Sequence, residues 1–297
     1  MFPTEIEGSK ILKKIRSDSK AFTIGIVILF FVLLGAVSLS TARLLSEQLA
    51  RREFECYCWI NASAQLILSL ALLAITRRIG ILDGKEFSGK RIPGGFYAGL
   101  VGLVFALGMF LVNFLGNKQY AQKPDFSYLL ACLFIAFTTG LFEEVLCRGF
   151  AFRNFKRRFG DTSSGVKRSI LWSSVLFGVM HLVNLPGYDL ASILQTIAQI
   201  LNAIVIGVFF ALVYVQSKSM WSIVIIHALI DGATFVLYSL LSPAAFQSNA
   251  ASTAETGVGI FLQAFVVPLV MMLPFLIAIV IKWRKLNVAT AKTMMTM

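Results

Sequence analysis

Long apolar runs separated by short polar connections occupy most of the chain. Most of these runs have roughly the 20 residues that an α-helix needs to cross the hydrocarbon core of a bilayer. There are eight such runs, at residues 22–42, 57–76, 94–115, 127–152, 169–183, 192–215, 220–241 and 258–281. The connections between them are too short to hold a soluble domain. The pattern predicts an all-α fold, a polytopic membrane bundle of about eight transmembrane helices.

The order of the runs divides the chain into three parts. Residues 1–124 are predicted to form N-terminal membrane helices behind a basic N-terminus, residues 125–245 a membrane core, and residues 246–297 a last membrane helix and a tail. The first apolar run is longer than the apolar part of a usual signal peptide, which favours an uncleaved span. Residues 9–22 are expected to be a basic flank, with a short amphipathic helix as the alternative, and residues 242–257 a flexible outer loop.

The distribution of charge predicts an orientation. The chain is 57% hydrophobic, with a mean hydropathy of +0.79 and a net charge of +12. In the eight-span layout, 21 of the 27 Lys and Arg residues lie on one membrane face and five on the other. Positive residues concentrate on the cytoplasmic side, so both termini are expected in the cytoplasm of a plasma-membrane protein. Basic residues facing anionic headgroups also explain the net charge, and no nucleic-acid partner is expected.

Few ionisable residues fall inside the predicted spans, and they gather on three of them. The fourth span holds Glu143 and Glu144, the fifth His181, and the seventh His227 and Asp231. Such groups are costly at membrane depth and usually mark a function. Counted from the nearest basic flank at ~1.5 Å per residue, Glu143, His181 and His227 lie roughly 14 to 20 Å deep. The matched depths predict one site, with its entrance on the cytoplasmic side.

Spacing within each helix predicts which side chains cooperate. Glu144 and Arg148 are four residues apart, share a helix face and can pair. Glu143 points about 100° away and is the carboxylate left free to face a cavity. His227 and Asp231 are also four apart, so Asp231 can orient the imidazole or share a proton with it. A buried Glu–Arg pair or a lone histidine can also simply hold helices together.

These residues carry a family resemblance. The chain reads Glu143-Glu144-x-x-x-Arg148, then Phe177-x-x-x-His181, then His227-x-x-x-Asp231. This order resembles the CPBP family of intramembrane glutamic endopeptidases, which includes type II CAAX prenyl endopeptidases and bacteriocin-processing or self-immunity proteins. The resemblance covers roughly residues 125 to 245 and identifies the predicted core as a protease of this type. It implies a peptide or protein substrate at the membrane.

The resemblance also implies roles. Glu143 and His181 would activate a water for attack on a peptide carbonyl, His227 and residue 231 would stabilise the oxyanion, and Glu144, Arg148 and Phe177 would support them. The chain departs from the CAAX endopeptidases at Asp231, where those enzymes carry Asn. An ionised Asp cannot donate to an oxyanion. Either Asp231 is protonated, or it orients His227 and leaves the imidazole as the donor.

No cofactor is expected, with zinc as the alternative. Glu143, His181 and His227 could supply three ligands to a zinc ion with water in the fourth position. The chain has no H-E-x-x-H, so the usual helix of zinc proteases is absent.

Two other classes of function remain open from the sequence. One is a non-catalytic membrane scaffold or bacteriocin self-immunity protein that keeps the fold, which predicts that motif residues are lost, whereas all are present here. The other is a proton-coupled transporter, because buried carboxylates and histidines also serve proton transfer. Against it, the spans show no repeat symmetry and no matched pair of Pro-broken helices.

Overall fold

The structure, a computed structural model, describes residues 20–44, 51–82, 84–185, 188–242, 259 and 262–295. These residues form α-helices joined by short turns, and no strand occurs among them. The α-helices are α1 Lys20–Leu44, α2 Arg51–Arg78, α3 Ile92–Ala98, α4 Leu100–Gly116, α5 Phe126–Glu144, α6 Arg153–Phe159, α7 Ser163–Met180, α8 Leu190–Ser217, α9 Met220–Leu240 and α10 Val267–Met295. Most of the predicted flank at 9–22 and the predicted outer loop at 242–257 lie outside the described residues.

The prediction of a membrane bundle is confirmed. In the described part of the chain, seven helical segments are long and apolar enough to cross a membrane, and eight if a bent pair counts as one span. Large apolar side chains also cover the outside of the helices: Ile67, Val104 and Val112 are each more than 60% exposed. Such a surface suits acyl chains and would be unfavourable in water.

The third predicted span, residues 94–115, is bent in the structure. The chain bends by 73° between residues 89–98 and α4. The break falls at Gly99, where an added Cβ would lie 2.3 Å from Cδ1 of Ile226 on α9. Because Gly99 has no side chain, the bend can lie against α9. The apolar pattern of the span does not predict this bend.

Basic side chains gather at one end of the bundle, here named the basic end and defined by Lys20, Arg78, Arg153, Lys218 and Lys282. Arg153 Nη1 donates to the carbonyl of Ile81 at 2.8 Å, and Lys282 Nζ donates to Gln216 Oε1 at 2.8 Å. Burial lowers the pKa of Lys218, as do Lys156 and Arg153 nearby. Cations from separate helices therefore crowd together at this end.

The other end, here named the opposite end, is defined by Arg51, Phe126 and Leu240. Here α2 and α5 begin and α9 ends. The turn before α5 is tied to the end of α9, because Gln122 Nε2 donates to the carbonyl of Leu241 at 2.9 Å. The position of the site can therefore be described relative to these two ends.

Helix α9 lies at the centre, packed against both α5 and α4, while α2 packs on α5, and α7 and α10 pack on α8. The contact of α5 with α9 is unusually close at Gly140. A Cβ there would lie 2.8 Å from the carbonyl oxygen of Val224 and 3.0 Å from the nitrogen of Ala228, both backbone atoms that cannot move aside. Gly140 thus sets the distance at which Glu143 and Glu144 face His227.

Substitution of Gly140 by Ala is expected to force α5 and α9 apart. Overpacking of this kind costs about 1–3 kcal/mol, so we expect a lower melting temperature in detergent and reduced function. Gly108→Ala is the matched control, because nothing lies within 4 Å of its added Cβ. In a helix interior Ala is favoured over Gly by about 1 kcal/mol, so this control should be neutral or stabilising. Equal melting temperatures for the two variants would contradict the close-approach argument.

Candidate active site

The two adjacent glutamates lie where the regular helix changes geometry. Glu143 and Glu144 are the last residues of α5, and Val145–Phe152 continue the same rod as a π-helical segment before α6. Wide turns of this kind are rare and often occur at functional sites. Arg148 lies within this segment, so the helix geometry changes between Glu144 and its partner.

Glu144 lies at the centre of a polar network that is buried from solvent. Its Oε1 accepts from Arg148 Nη1 at 2.9 Å and from His227 Nδ1 at 2.8 Å. Arg148 Nη2 donates in turn to the carbonyl of Gly207 on α8 at 2.7 Å. Glu144 and Arg148 are completely buried. The predicted pairing of Glu144 with Arg148 is confirmed, and the network additionally joins α5 to α8 and α9.

Two aromatic rings hold this network in place. The guanidinium carbon of Arg148 lies 4.8 Å from the ring centre of Phe177 and 5.6 Å from that of Phe210. The His227 ring stacks on Phe210 at 5.2 Å and meets the Phe177 ring edge-on at 5.8 Å. Cation–π contacts are strongest where water is excluded, as it is here. Phe177 thereby supports both the arginine and the histidine.

Glu143 and Asp231 approach the other nitrogen of His227. The Glu143 Oε2 and Asp231 Oδ2 atoms each lie 3.6 Å from His227 Nε2, slightly beyond a direct hydrogen bond. The Glu143 side chain is 13% exposed and that of Asp231 is 25% exposed, whereas that of Glu144 is fully buried. As the spacing predicts, Glu143 is the carboxylate left to face a cavity.

His181 comes from the end of α7, where it opens a 3₁₀ turn, His181–Asn184. Its Nδ1 lies 2.9 Å from the carbonyl of Phe177, and its ring centre is 5.1 Å from the Phe177 ring. A carbonyl can only accept, so Nδ1 carries the proton in this contact and Nε2 is the basic nitrogen of the neutral ring. No direct bond joins His181 to Glu143 among the described contacts.

One cavity of about 930 Å³ collects all four predicted catalytic residues, Glu143, His181, His227 and Asp231, along its wall. The cavity wall combines apolar and aromatic side chains with many polar ones. Its wall holds aromatic side chains and the amides of Asn61, Gln65, Asn184 and Gln199.

The cavity runs from the catalytic residues toward the opposite end of the bundle. On α5 its wall is formed by Ile135, Thr139 and Glu143, which share one face and lie on the N-terminal side of the glutamate pair. On α9 the wall continues from His227 to Tyr238, again away from the basic end. The cavity therefore extends away from the basic flanks, beside which the sequence predicts its entrance. Depth along the helices gives the level of a site but not the direction in which it opens.

The described residues contain no group of three or more His, Cys, Asp or Glu side chains arranged to hold a metal ion. The suggested zinc ligands Glu143, His181 and His227 line the same cavity without forming such a set.

Some contributors lie outside the sequence motifs. Gly207, Phe210 and Gln199 all come from α8, which carries none of the ionisable residues that mark the other spans. The bond from His227 to Glu144 joins residues 83 positions apart. Nothing in the sequence predicts these partners, because each contributes through a carbonyl, a ring face or an amide that is common in apolar helices.

Comparison with known proteins agrees with this geometry. A family model described as type II CAAX prenyl endopeptidase, Rce1-like, matches residues 125–233. No curated protein and no solved structure matches the chain. The matched segment holds all seven motif residues, from Glu143 to Asp231. The predicted resemblance is thereby confirmed for this segment: residues 125–233 of this multi-pass membrane chain match the CPBP, or CAAX, protease family.

Proposed function

We propose that the protein is an intramembrane endopeptidase that hydrolyses a peptide bond of a membrane-associated polypeptide with a water activated by Glu143 and His181. The observation that carries the proposal is the convergence of Glu143, His181, His227 and Asp231 on one cavity within the family-matched segment. A peptide in that cavity would contact the Glu143 carboxylate, the basic Nε2 of His181 and the ring of His227. Glu144 accepts from the other nitrogen of the His227 ring. These are the groups that peptide hydrolysis requires.

The chemistry follows from the positions of these groups. Glu143 takes a proton from the water, with His181 Nε2 orienting it, and the water oxygen bonds to the peptide carbonyl carbon. The carbonyl oxygen becomes an oxyanion. Collapse of this adduct breaks the carbon–nitrogen bond, and Glu143 returns the proton to the departing nitrogen. One water is consumed, and the products are a carboxyl group and an amine.

His227 is the proposed oxyanion donor. Glu144 accepts from Nδ1, which fixes the ring and stabilises positive charge on it. Asp231 lies 3.6 Å from Nε2 and also favours the protonated ring. The protonated ring presents an Nε2–H toward the cavity, where an oxyanion would form. An ionised Asp231 then serves by holding His227, and the asparagine of the CAAX endopeptidases is not needed as a second donor.

Peptide cleavage by the purified protein in lipid or detergent tests this assignment. We expect Glu143→Gln and His181→Ala to abolish cleavage, because loss of a general base costs roughly 10²–10⁴-fold in rate. Melting temperature is measured beside activity, and both variants should stay folded. A chelator should have no effect. Activity that the chelator removes and zinc restores would point instead to a metalloprotease, and a chain that cuts none of a broad peptide panel would favour the scaffold or immunity alternative.

The two adjacent glutamates should respond differently to the same isosteric change. Glu144→Gln removes the charge that balances Arg148 in a dry interior, and breaking a buried ion pair costs about 3–5 kcal/mol. Glu143 lies at the cavity wall without an arginine partner, so Glu143→Gln should leave the melting temperature nearly unchanged. Thermal unfolding of both variants in one detergent provides the comparison. A similar loss of stability in the two would contradict the division into a supporting and a reacting carboxylate.

A further inference from the structure

The direction of the cavity carries an inference about the substrate. The wall is formed by α1, α2, α5, α8 and α9 and by the turn that follows α7, and it extends from the depth of the catalytic residues toward the opposite end. On α1 and α2 it includes Ser38 and Asn61, which are joined by a hydrogen bond of 2.5 Å, and it reaches Phe54 near the start of α2. On α9 it reaches Tyr238, three residues before Leu241.

Distances along the helices place the mouth near the opposite membrane surface. Tyr238 lies 20 residues beyond Lys218, which is ~30 Å at 1.5 Å per residue, about the thickness of the hydrocarbon core. His227 lies only nine residues beyond Lys218, or ~14 Å. The cavity thus extends from mid-depth to the opposite end, and buried side chains, among them Phe150, Phe152 and Phe155, lie between the catalytic residues and the basic end.

The concentration of Lys and Arg decides which membrane face each end occupies. Cations of the basic end come from α1, α2, α6, α7 and α10 and from the turn between α8 and α9, and by the positive-inside rule this end is cytoplasmic. Among the described residues, the opposite end has five basic residues, Arg43, Arg51, Arg52, Lys118 and Lys123, beside acidic ones such as Glu55 and Asp125. The asymmetry is large enough to fix the orientation.

We infer that the cavity is entered from the non-cytoplasmic side of the membrane, and that the bond cleaved lies in an extended, largely apolar segment of a membrane-anchored polypeptide presented on that side. The inference rests on the proposed function for the cleavage, whereas the side of access is independent of it. A tail exposed only in the cytoplasm would not reach the catalytic residues.

The lining supports the chemical class of the segment. The described wall includes no Lys or Arg, and its acidic and imidazole side chains are those of the four catalytic residues. An acidic segment would therefore find no Lys or Arg to balance it. Gln65 Oε1 accepts from Thr138 and Thr139 at 2.8 and 3.1 Å, which leaves its amide N–H groups for another acceptor. Amides of this kind can bond the backbone of an extended chain, while Phe54, Tyr57 and Phe235 contact its side chains.

Labelling of single cysteines in cells tests the side of access without any assay of cleavage. Cys56 is the exposed native cysteine among the described residues, so Cys56→Ser is the background. Gln199→Cys and Asn184→Cys probe the cavity, Lys118→Cys marks the opposite end, and Arg158→Cys marks the basic end. The reagent is a charged maleimide that does not cross membranes, applied to intact cells and to permeabilised cells.

We expect the cavity cysteines and Lys118→Cys to be labelled in intact cells, and Arg158→Cys to be labelled only after permeabilisation. Labelling of the cavity cysteines only after permeabilisation, together with Arg158→Cys, would overturn the inference. So would labelling of Arg158→Cys in intact cells, because the bundle would then have the reverse orientation.

Cleavage provides a second and separate readout. Maleimide added outside intact cells should abolish cleavage by the Gln199→Cys variant and leave the Cys56→Ser parent active. If the parent cuts no peptide while labelling shows access from outside, the proposed protease function fails and the side of access stands. If the parent is active and external maleimide does not inhibit the Gln199→Cys variant, the side of access fails and the protease function stands.

Discussion

Glu144 accepts hydrogen bonds from both Arg148 and His227 through one carboxylate oxygen in a region from which water is excluded. Each of these groups is costly to bury alone, and together they satisfy much of one another's charge and hydrogen-bonding capacity. Because Glu144 and Arg148 lie on one continuous rod while His227 comes from α9 and the Gly207 carbonyl from α8, the network also fixes how these helices lie against each other. Glu143 and His227, which face the cavity, are thus positioned by the buried pair of Glu144 and Arg148, which does not face it.

Close packing and aromatic contact complete this arrangement by different means. Gly140 brings the backbone of α5 against α9, which no side chain could do at that distance. Phe177 and Phe210 then fill the space beside Arg148 and His227 with ring faces that attract positive charge. The site is therefore tightly packed on its buried side and faces a cavity on the other. The supporting groups lie on the buried side, and the reacting groups lie at the cavity wall.

Much of this could be predicted from the sequence because ionisable residues are rare in apolar helices. The spans, the paired Glu144 and Arg148, the free Glu143 and the family all follow from where such residues fall. The bend at Gly99, the π-helical turn after Glu144 and the contribution of α8 could not be predicted. They depend on backbone geometry, a carbonyl and a ring face, and none of these changes the pattern of apolar and polar residues in the sequence. The direction of the cavity belongs to the same group, since a helix with polar residues at mid-depth can open toward either end.

A cavity that reaches mid-depth also changes how the bundle insulates the membrane. Where water fills the half toward the opposite end, only the packed half toward the basic end separates two aqueous phases. The transmembrane voltage then falls mainly across that half, at about 2.3 kcal/mol per elementary charge for each 100 mV. Arg148 and Glu144 lie at the edge of this region, paired with each other, so that they carry no net charge through the field. Under that condition, the buried side chains of Phe150, Phe152 and Phe155 beyond them would form part of the layer that separates the two aqueous phases.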